Sequence, residues 1–193
     1  MSPRFTTPHP DDMSPEQRAL YDLFASGRRA EPSNPFRLVD ASGRLQGPPS
    51  AWVLHPPLGH ALERFGAAIR YDLTLSSRLR EMVILMVGHH RRSPFEVYAH
   101  TKAGAAAGLS PADLDALAAG RPPELTTGEE RVAYEVTRRI LDTGGLDEET
   151  YAEAVAELTV ERLFELVTVV GYYSMLAIQL AAFDLLPPKE DGS

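Results

Sequence analysis

The segment SPFEVYAH, residues 93–100, places a glutamate and a histidine one helical turn apart. Glu96 and His100 are separated by four positions, so on a helix their side chains lie on one face and can meet. A carboxylate that holds one imidazole nitrogen fixes the tautomer of the ring and raises the basicity of the other nitrogen. These residue types at this spacing are typical of a general acid–base pair.

The same segment also has a purely structural interpretation. If Ser93 is the N-cap of a helix, Pro94 is its first residue and Glu96 stands at the third position, which is that of a capping-box glutamate. His100 would then be a core histidine with satisfied hydrogen bonds. The two interpretations are compatible, because capping-box geometry would also aim Glu96 along the helix toward His100.

A second glutamate, Glu81, lies in the preceding apolar segment SRLREMVILMVGHHR, residues 77–91. Gly88 lies seven residues further on, close to the same helical face, and would leave open volume beside the carboxylate. The alternative is that Glu81 is a first-turn acid stabilised by the helix dipole. If two carboxylates are buried near one imidazole, repulsion and desolvation should raise at least one carboxyl pKa.

A metal site is a further possibility, since imidazole and carboxylate groups bind zinc or iron. His89 and His90 with Glu96 and His100 would supply enough donors. Adjacent helical residues point about 100° apart, however, and neither of the adjacent histidines has a paired ligand at i, i+4. No metal site is therefore predicted.

Other side chains are candidates for the walls of a pocket. Tyr172 and Tyr173 can present hydroxyl groups to it, although buried tyrosines commonly bond to the backbone. Trp52 and His55 can cover a pocket or anchor the N-terminal region. Four arginines can bind a substrate carboxylate or be solvated charges at helix ends: Arg78, Arg80, Arg91 and Arg92.

The elements that must position these residues are helices. Helix-start signals recur at Ser14, Ser93, Ser110 and Thr127, and apolar residues follow at helical spacing. Strand signals hardly appear, so the predicted fold class is all-α with about eight helices, two of them long and buried. The predicted helices are residues 15–26, 57–72, 77–91, 94–107, 111–119, 128–143, 148–158 and 160–185.

The chain is predicted to have three parts. Residues 1–50 form an N-terminal extension with one helix and a Pro/Gly-rich excursion at 28–50, residues 51–186 form the main helical domain, and residues 187–193 form a frayed tail. The uncharged stretch 166–183 approaches the roughly 20 residues that span a bilayer. Polar residues interrupt it and acidic residues flank it, so we predict a helix buried on all sides and no membrane partner.

Composition restricts the function classes. The 193-residue chain carries a formal charge of −8 and no dense basic cluster, which argues against nucleic acid or an anionic membrane as partner. It contains no cysteine, so disulfides, thiolate nucleophiles and cysteine-ligated metals are excluded. The N-terminus lacks the apolar core of a signal peptide, and a cytoplasmic location is expected.

The order Glu81, Ser93, Glu96, His100 gives the pattern E-x11-S-x2-E-x3-H. This pattern resembles the signature of the carboxymuconolactone decarboxylase branch of the AhpD-like superfamily. The segments LREMVILMVG, GLSPADLDAL and LVTVVGYYSML are similar to that family as well, and the resemblance spans residues 55–186. The resemblance implies an AhpD-like fold for this region.

Three features depart from the family's patterns. In its alkylhydroperoxidase members, two redox cysteines occupy the positions of Ser93 and Glu96, so thiol-based peroxide reduction is not expected here. Val97 stands where a tryptophan is common in the decarboxylases, and the first fifty residues are an addition. Both differences leave the identity of the substrate open.

The resemblance implies a lyase or isomerase that performs general acid–base chemistry on a small cyclic or unsaturated carboxylic acid, without metal or organic cofactor. His100 would donate or accept the proton, Glu96 would orient it, and Glu81 would act as a relay or second carboxylate. It also implies a homo-oligomer, a trimer or hexamer. The alternatives are a non-catalytic small-molecule-binding or assembly protein and a non-thiol hydroperoxide reductase. The expected substrate contacts are Ser93, Gly88, Tyr172, Tyr173 and His89.

Overall fold

The computed structural model describes residues 4–26, 30–31 and 36–188, and its regular structure is helical. A 3-10 helix at Pro10–Asp12 precedes nine α-helices in the described ranges. Within them the only β pairing is one isolated bridge between Val39 and Leu45. The helices are α1 Pro15–Ala25, α2 Pro48–Trp52, α3 Pro56–Tyr71, α4 Ser77–His90, α5 Pro94–Ala106, α6 Pro111–Ala118, α7 Gly128–Thr143, α8 Glu148–Leu158 and α9 Val160–Phe183.

The all-α prediction is confirmed, and each of the eight predicted helices corresponds to one observed helix. Among the α-helices only α2 was not predicted, because its five residues lie in a Pro/Gly-rich region that was expected to be extended. The predicted excursion at 28–50 and tail at 187–193 fall partly on residues 28–29, 32–35 and 189–193, outside the described residues.

Helix starts follow the sequence signals closely. Ser14 and Ser110 each form a capping box with the residue three positions on, Gln17 and Asp113. The Thr127 side chain likewise accepts a hydrogen bond from a backbone N–H of the first turn of α7. These side chains satisfy N–H groups that have no partner within the helix, and this is why the motif predicts a helix start.

The core is built around α4, which packs against α5, α6, α7 and α9. Leu79 and the run Met82–Leu85 on α4 are almost completely buried. Helix α9 is the other long element of this core, with Leu166 and Val169 fully buried. The two long helices of the prediction therefore form the centre of the molecule.

Helix α9 is not buried on all sides, and that prediction was wrong. Phe164, Val167 and Ile178 are 73%, 40% and 61% exposed, because the neighbouring helices cover only one side of α9. By length and composition α9 is the one helix in the described chain that could cross a membrane, and 44% of its most apolar window is buried inside the protein.

The region before α3 packs onto the same core. Leu20, Leu38 and Trp52 belong to the hydrophobic cluster that contains the α4 and α9 side chains. The indole Nε1 of Trp52 donates a hydrogen bond to Oε1 of Gln179 on α9 at 3.0 Å. The N-terminal region thus covers one end of the α4–α9 pair, while the domain boundary near residue 50 stays a prediction.

Candidate functional site

The candidate site is positioned by α4 and α5, two antiparallel helices joined by a tight turn. Arg92 in this turn has a positive φ of 51°, and the N–H of Ser93 donates to the carbonyl oxygen of Gly88 at 2.9 Å. A Cβ on Gly88 would lie 3.4 Å from Val97 and 3.5 Å from the Cβ of Glu96. These are ordinary van der Waals distances, and the space at Gly88 faces Val97 and Glu96 on α5. The prediction that Gly88 leaves open volume beside Glu81 was therefore wrong.

Three buried side chains from these helices form a continuous array. Nδ1 of His100 lies 2.6 Å from Oε2 of Glu81, and its Nε2 lies 3.3 Å from Oε2 of Glu96. All three residues are at most 5% exposed. The predicted Glu96–His100 pair is thus present, and Glu81 completes it from the neighbouring helix.

The two carboxylates determine the protonation of His100. Burial alone would lower the pKa of the imidazole, but the charge and hydrogen bond of Glu81, together with those of Glu96, raise it to about 9. His100 is therefore a cation at neutral pH, and each of its N–H groups points at one carboxylate. Neither ring nitrogen is left for a direct bond to another molecule.

The electrostatics of Glu81 differ from the prediction that a carboxyl pKa would be raised. Burial does raise the pKa of Glu81, but the charge and hydrogen bond of His100, with smaller contributions from Arg80 and Arg70, lower it overall. Arg80 lies next to the same carboxylate, with its Nε 3.4 Å from Oε1. Glu81 also lies beyond the first turn of α4, so the helix-dipole interpretation of this residue was wrong.

Glu96 does not cap α5, and the capping-box prediction was wrong. Pro94 is the first residue of the helix as expected, but the side chain of Ser93 makes no capping bond and its Oγ is buried without a partner among the described residues. The carboxylate of Glu96 turns inward to His100 instead. Its second oxygen, Oε1, is buried and forms no hydrogen bond within the described chain.

A cavity adjoins this array. The centre of a water molecule can occupy a volume of about 40 Å3 in this cavity. The void itself extends further on every side by the radius of a water molecule, about 1.4 Å. Glu96 and His100 form part of its wall, and Tyr172 and Tyr173 form another part. The N-terminal region covers it with apolar side chains that include Phe36, Pro48 and Trp52.

The two tyrosines have different surroundings. The hydroxyl of Tyr172 donates to the carbonyl oxygen of Leu62 at 3.3 Å. The ring of Tyr173 stands edge-on to His100 with 5.0 Å between centroids. Burial raises the pKa of Tyr173, an effect that Arg70 opposes and that Glu81 and Glu96 reinforce, so its hydroxyl keeps its proton at neutral pH.

The remaining predicted contacts lie elsewhere. Ser93 and Gly88 are buried at the α4–α5 turn and do not line the cavity. His89 lines a separate surface pocket between α4, α6 and α7 together with His90. No group of three or more His, Asp or Glu side chains is arranged to hold a metal ion among the residues that the structure describes.

One charged residue of the cavity was not anticipated. Arg70, at the end of α3, lines the cavity, whereas the arginines considered from the sequence lie on α4 and in the turn that follows it. Its position in the α3 pattern, after buried Ile69, gives no sign of this location, because the cavity also needs residues of α5 and α9 that are distant in sequence. His55 caps α3 by accepting a hydrogen bond from the N–H of Leu58.

The arginines that were anticipated have other roles. Nε of Arg78 donates to Oε1 of Glu130 at 2.9 Å, and its NH1 donates to Oδ2 of Asp113 at 3.2 Å. Arg78 thereby joins α4 to α6 and α7. Arg91 and Arg92 are exposed in the turn.

Comparison with known proteins supports the fold. Residues 56–139 match the sequence model of the carboxymuconolactone decarboxylase family. No curated protein shows significant similarity to the chain.

Solved structures extend this similarity over nearly the whole chain. A peroxidase-related protein with an alkylhydroperoxidase AhpD core from Ralstonia eutropha JMP134 aligns over 97% of this chain and 93% of its own, with a TM-score of 0.75 and 12% identity. A putative antioxidant defence protein AhpD from Agrobacterium tumefaciens aligns over 71% of this chain and 94% of its own, with a TM-score of 0.63 and 18% identity. The debrominase Bmp8 aligns over 91% of this chain and 87% of its own, with a TM-score of 0.68 and 14% identity. At these identities the similarity establishes an AhpD-like fold.

Proposed function

We propose that this chain, which has an AhpD-like fold and whose residues 56–139 match the carboxymuconolactone decarboxylase family, is a lyase- or isomerase-type enzyme acting on a small cyclic or unsaturated carboxylic acid. The observation that carries this proposal is the buried array Glu81–His100–Glu96 at the wall of a cavity, with one carboxylate oxygen left without a partner in the described chain. Such an array can hold and transfer a proton.

The roles of the three residues follow from their free and occupied atoms. Both nitrogens of His100 face carboxylates, whereas Oε1 of Glu96 has no partner among the described residues. We therefore assign Glu96, not His100, as the group that exchanges a proton with the substrate. His100 stabilises the charge of Glu96 and stores a proton, and Glu81 holds the imidazole in position.

The proton balance of an isomerisation is simple in this arrangement. Oε1 of Glu96 removes a proton from the carbon next to the unsaturated system, and the electron pair left on carbon delocalises into a dienolate. The same oxygen returns the proton to a different carbon, and the double bond moves. In a decarboxylation the bond to the carboxyl carbon breaks and carbon dioxide leaves. The carbanion then takes a proton that protonated His100 passes through Glu96, and water restores the proton to His100.

Stabilisation of the intermediate requires a donor near the oxygen that gains charge. Tyr173 lines the cavity beside His100 and keeps its phenolic proton at neutral pH because burial raises its pKa. We assign it to this role. Tyr172, whose hydroxyl bonds to Leu62, shapes the wall of the cavity.

Deuterium exchange tests this proposal whichever of the two reactions takes place. Wild-type protein is incubated in D2O with a panel of unsaturated acids and 4-carboxymuconolactone, while proton NMR follows exchange and ultraviolet absorbance follows turnover. We expect exchange or turnover with at least one acid, and Glu96→Gln should reduce it at least about 100-fold, the lower range for loss of a general acid or base.

The matched control is Glu153→Gln, an exposed glutamate on α8, which should leave the rate unchanged. An acid that binds in the cavity without exchange or turnover would contradict the enzyme proposal. It would favour the second candidate, a non-catalytic binding protein. The observation that supports this candidate is that both nitrogens of His100 already face carboxylates. A hydroperoxide reductase of the thiol type is excluded by the absence of cysteine.

A further inference from the structure

Arg70 carries a charge that no ion pair balances within the described chain. Its Nε is buried and makes no hydrogen bond there, and no described carboxylate lies within ion-pair distance of its guanidinium. Arg78 and Arg80, by contrast, both donate to carboxylates and to backbone carbonyl groups. A buried donor without an acceptor destabilises the unliganded protein, so a ligand that supplied the acceptor would recover that free energy.

The position of Arg70 fits a ligand role better than a structural one. Arg70 lines the same cavity as Glu96 and His100. Its positive charge contributes to the lowered pKa of Glu81 and acts on Tyr173. The end of α3 is held instead by Arg80, whose NH1 donates to the carbonyl oxygen of Arg70 at 3.0 Å.

The formal charges around the cavity do not cancel. Arg70, Arg80 and protonated His100 are three positive groups, and Glu81 and Glu96 are two negative ones. The excess of one positive charge lies in a cavity that is partly shielded from water. Electrostatic attraction in such a place is stronger than in bulk solvent. The cavity is therefore suited to a ligand with a single negative charge.

Two unsatisfied atoms define the polarity of that ligand. Within the described chain Nε of Arg70 is a donor and Oε1 of Glu96 an acceptor without a partner, and both residues line the same cavity. Between them the walls are largely apolar and aromatic, with Phe36, Phe95 and Trp52. A compact unsaturated acid would meet Arg70 with its carboxylate, the apolar walls with its carbon chain, and Glu96 with its acidic C–H.

We propose that Arg70 is the anchor for the substrate carboxylate and sets the specificity of this site for small unsaturated monocarboxylates. The guanidinium fork matches a carboxylate with two parallel hydrogen bonds. The assignment of Glu96 to the reactive end of the ligand rests on the proposed function, but binding of the carboxylate by Arg70 does not.

The single tryptophan of the chain provides a direct binding assay. Trp52 lines the cavity, so its fluorescence should report occupancy whether or not turnover occurs. The probe is crotonate, and crotonamide is its neutral counterpart of the same shape. Wild type should bind crotonate with a saturable change in emission and crotonamide at least about tenfold more weakly, since a hydrogen bond to a charged group contributes about 1.5–3 kcal/mol.

Substitutions then locate the effect. Arg70→Met should weaken crotonate binding about 10- to 100-fold and leave crotonamide binding unchanged, while Arg70→Lys should retain an intermediate affinity. Arg64→Met, which removes an exposed arginine from the same helix, should change neither. Circular dichroism verifies that each variant is folded.

The outcomes separate this inference from the proposed function. Equal affinities of wild type for crotonate and crotonamide, no saturable response to crotonate, or wild-type affinity in Arg70→Met would each overturn it, and the first two need no variant. Crotonate binding that depends on Arg70, with no exchange or turnover of any acid, would leave the anchor intact and refute the enzyme. Turnover of an acid at the same rate by wild type and Arg70→Met would support the enzyme and refute the anchor.

Discussion

The cationic state of His100 predicts how stability depends on pH. Its pKa is raised from 6.5 to about 9 in the folded protein. Because the folded-state pKa is the higher one, the stabilisation is fully present below the unfolded pKa and is lost as pH rises through the folded pKa. The protein should therefore become less stable between pH 6.5 and about pH 9.

The magnitude follows from the two pKa values. At about 1.4 kcal/mol per unit, the shift corresponds to about 3 kcal/mol of unfolding free energy, and the burial of His100 and Glu81 leaves little solvent screening. Glu81 determines how stability falls at acidic pH. Its pKa is lowered, so its contribution to the unfolding free energy disappears as pH falls through that lowered pKa. The two shifts describe one interaction and are counted once.

Urea unfolding followed by far-ultraviolet circular dichroism measures this effect. Lysine and tyrosine side chains also titrate near pH ~10, so the useful quantity is the difference between wild type and His100→Gln. We expect that difference to fall by about 3 kcal/mol between pH ~6 and ~10. His90→Gln, which replaces an exposed histidine on α4, should retain the loss of stability between pH ~6 and ~10 because the buried array is unchanged.

A pH-independent difference between wild type and His100→Gln would refute the cationic array. It would mean that the pKa of His100 is not raised in the folded protein. NMR of the His100 ring provides a second measurement, with a midpoint expected at about pH 9. A midpoint near 6.5, the ordinary histidine value, would lead to the same conclusion.

Two further predictions concern other parts of the molecule. Arg78→Met should lower the unfolding free energy by about 3 kcal/mol, because it leaves the buried carboxylates of Asp113 and Glu130 without a positive partner. Urea unfolding measures this loss, and a change below about 1 kcal/mol would contradict a structural role of Arg78. We propose that the exposed apolar side of α9 joins copies of the chain in a homo-oligomer, so Phe164→Glu should shift gel filtration toward a smaller species, and identical elution of variant and wild type would contradict it.

The helices could be predicted from the sequence because their determinants are local. Capping serines, first-turn prolines and apolar spacing act within a few residues, and the structure confirms them at Ser14 and Ser110. The contact between Glu96 and His100 is also local, since residues four apart on a helix are neighbours. These elements and this pair were therefore predictable without the tertiary structure.

Interactions between different helices could not be predicted from local sequence signals. Ser93 carries the same local signal as Ser14, yet its hydroxyl makes no capping bond. Its backbone N–H donates to Gly88 and the Glu96 carboxylate turns to His100, so the reciprocal half of a capping box is absent as well. Arg70 was missed because nothing within α3 distinguishes it from the exposed Arg64. Only the tertiary fold, in which α3 packs against α9, brings Arg70 to a cavity that residues of α5 also line.

A carboxylate anchored by Arg70 also discriminates between the two reactions considered for this site. Loss of carbon dioxide removes the charge that Arg70 binds, so the anchor would stabilise the ground state more than the transition state and slow that step. Proton abstraction by Glu96 does the opposite, because it moves negative charge from carbon onto the carboxylate, where the guanidinium stabilises it. For an acid with a single carboxylate, an Arg70 anchor therefore favours proton transfer with movement of the double bond. Decarboxylation would require a second carboxyl group that points away from Arg70.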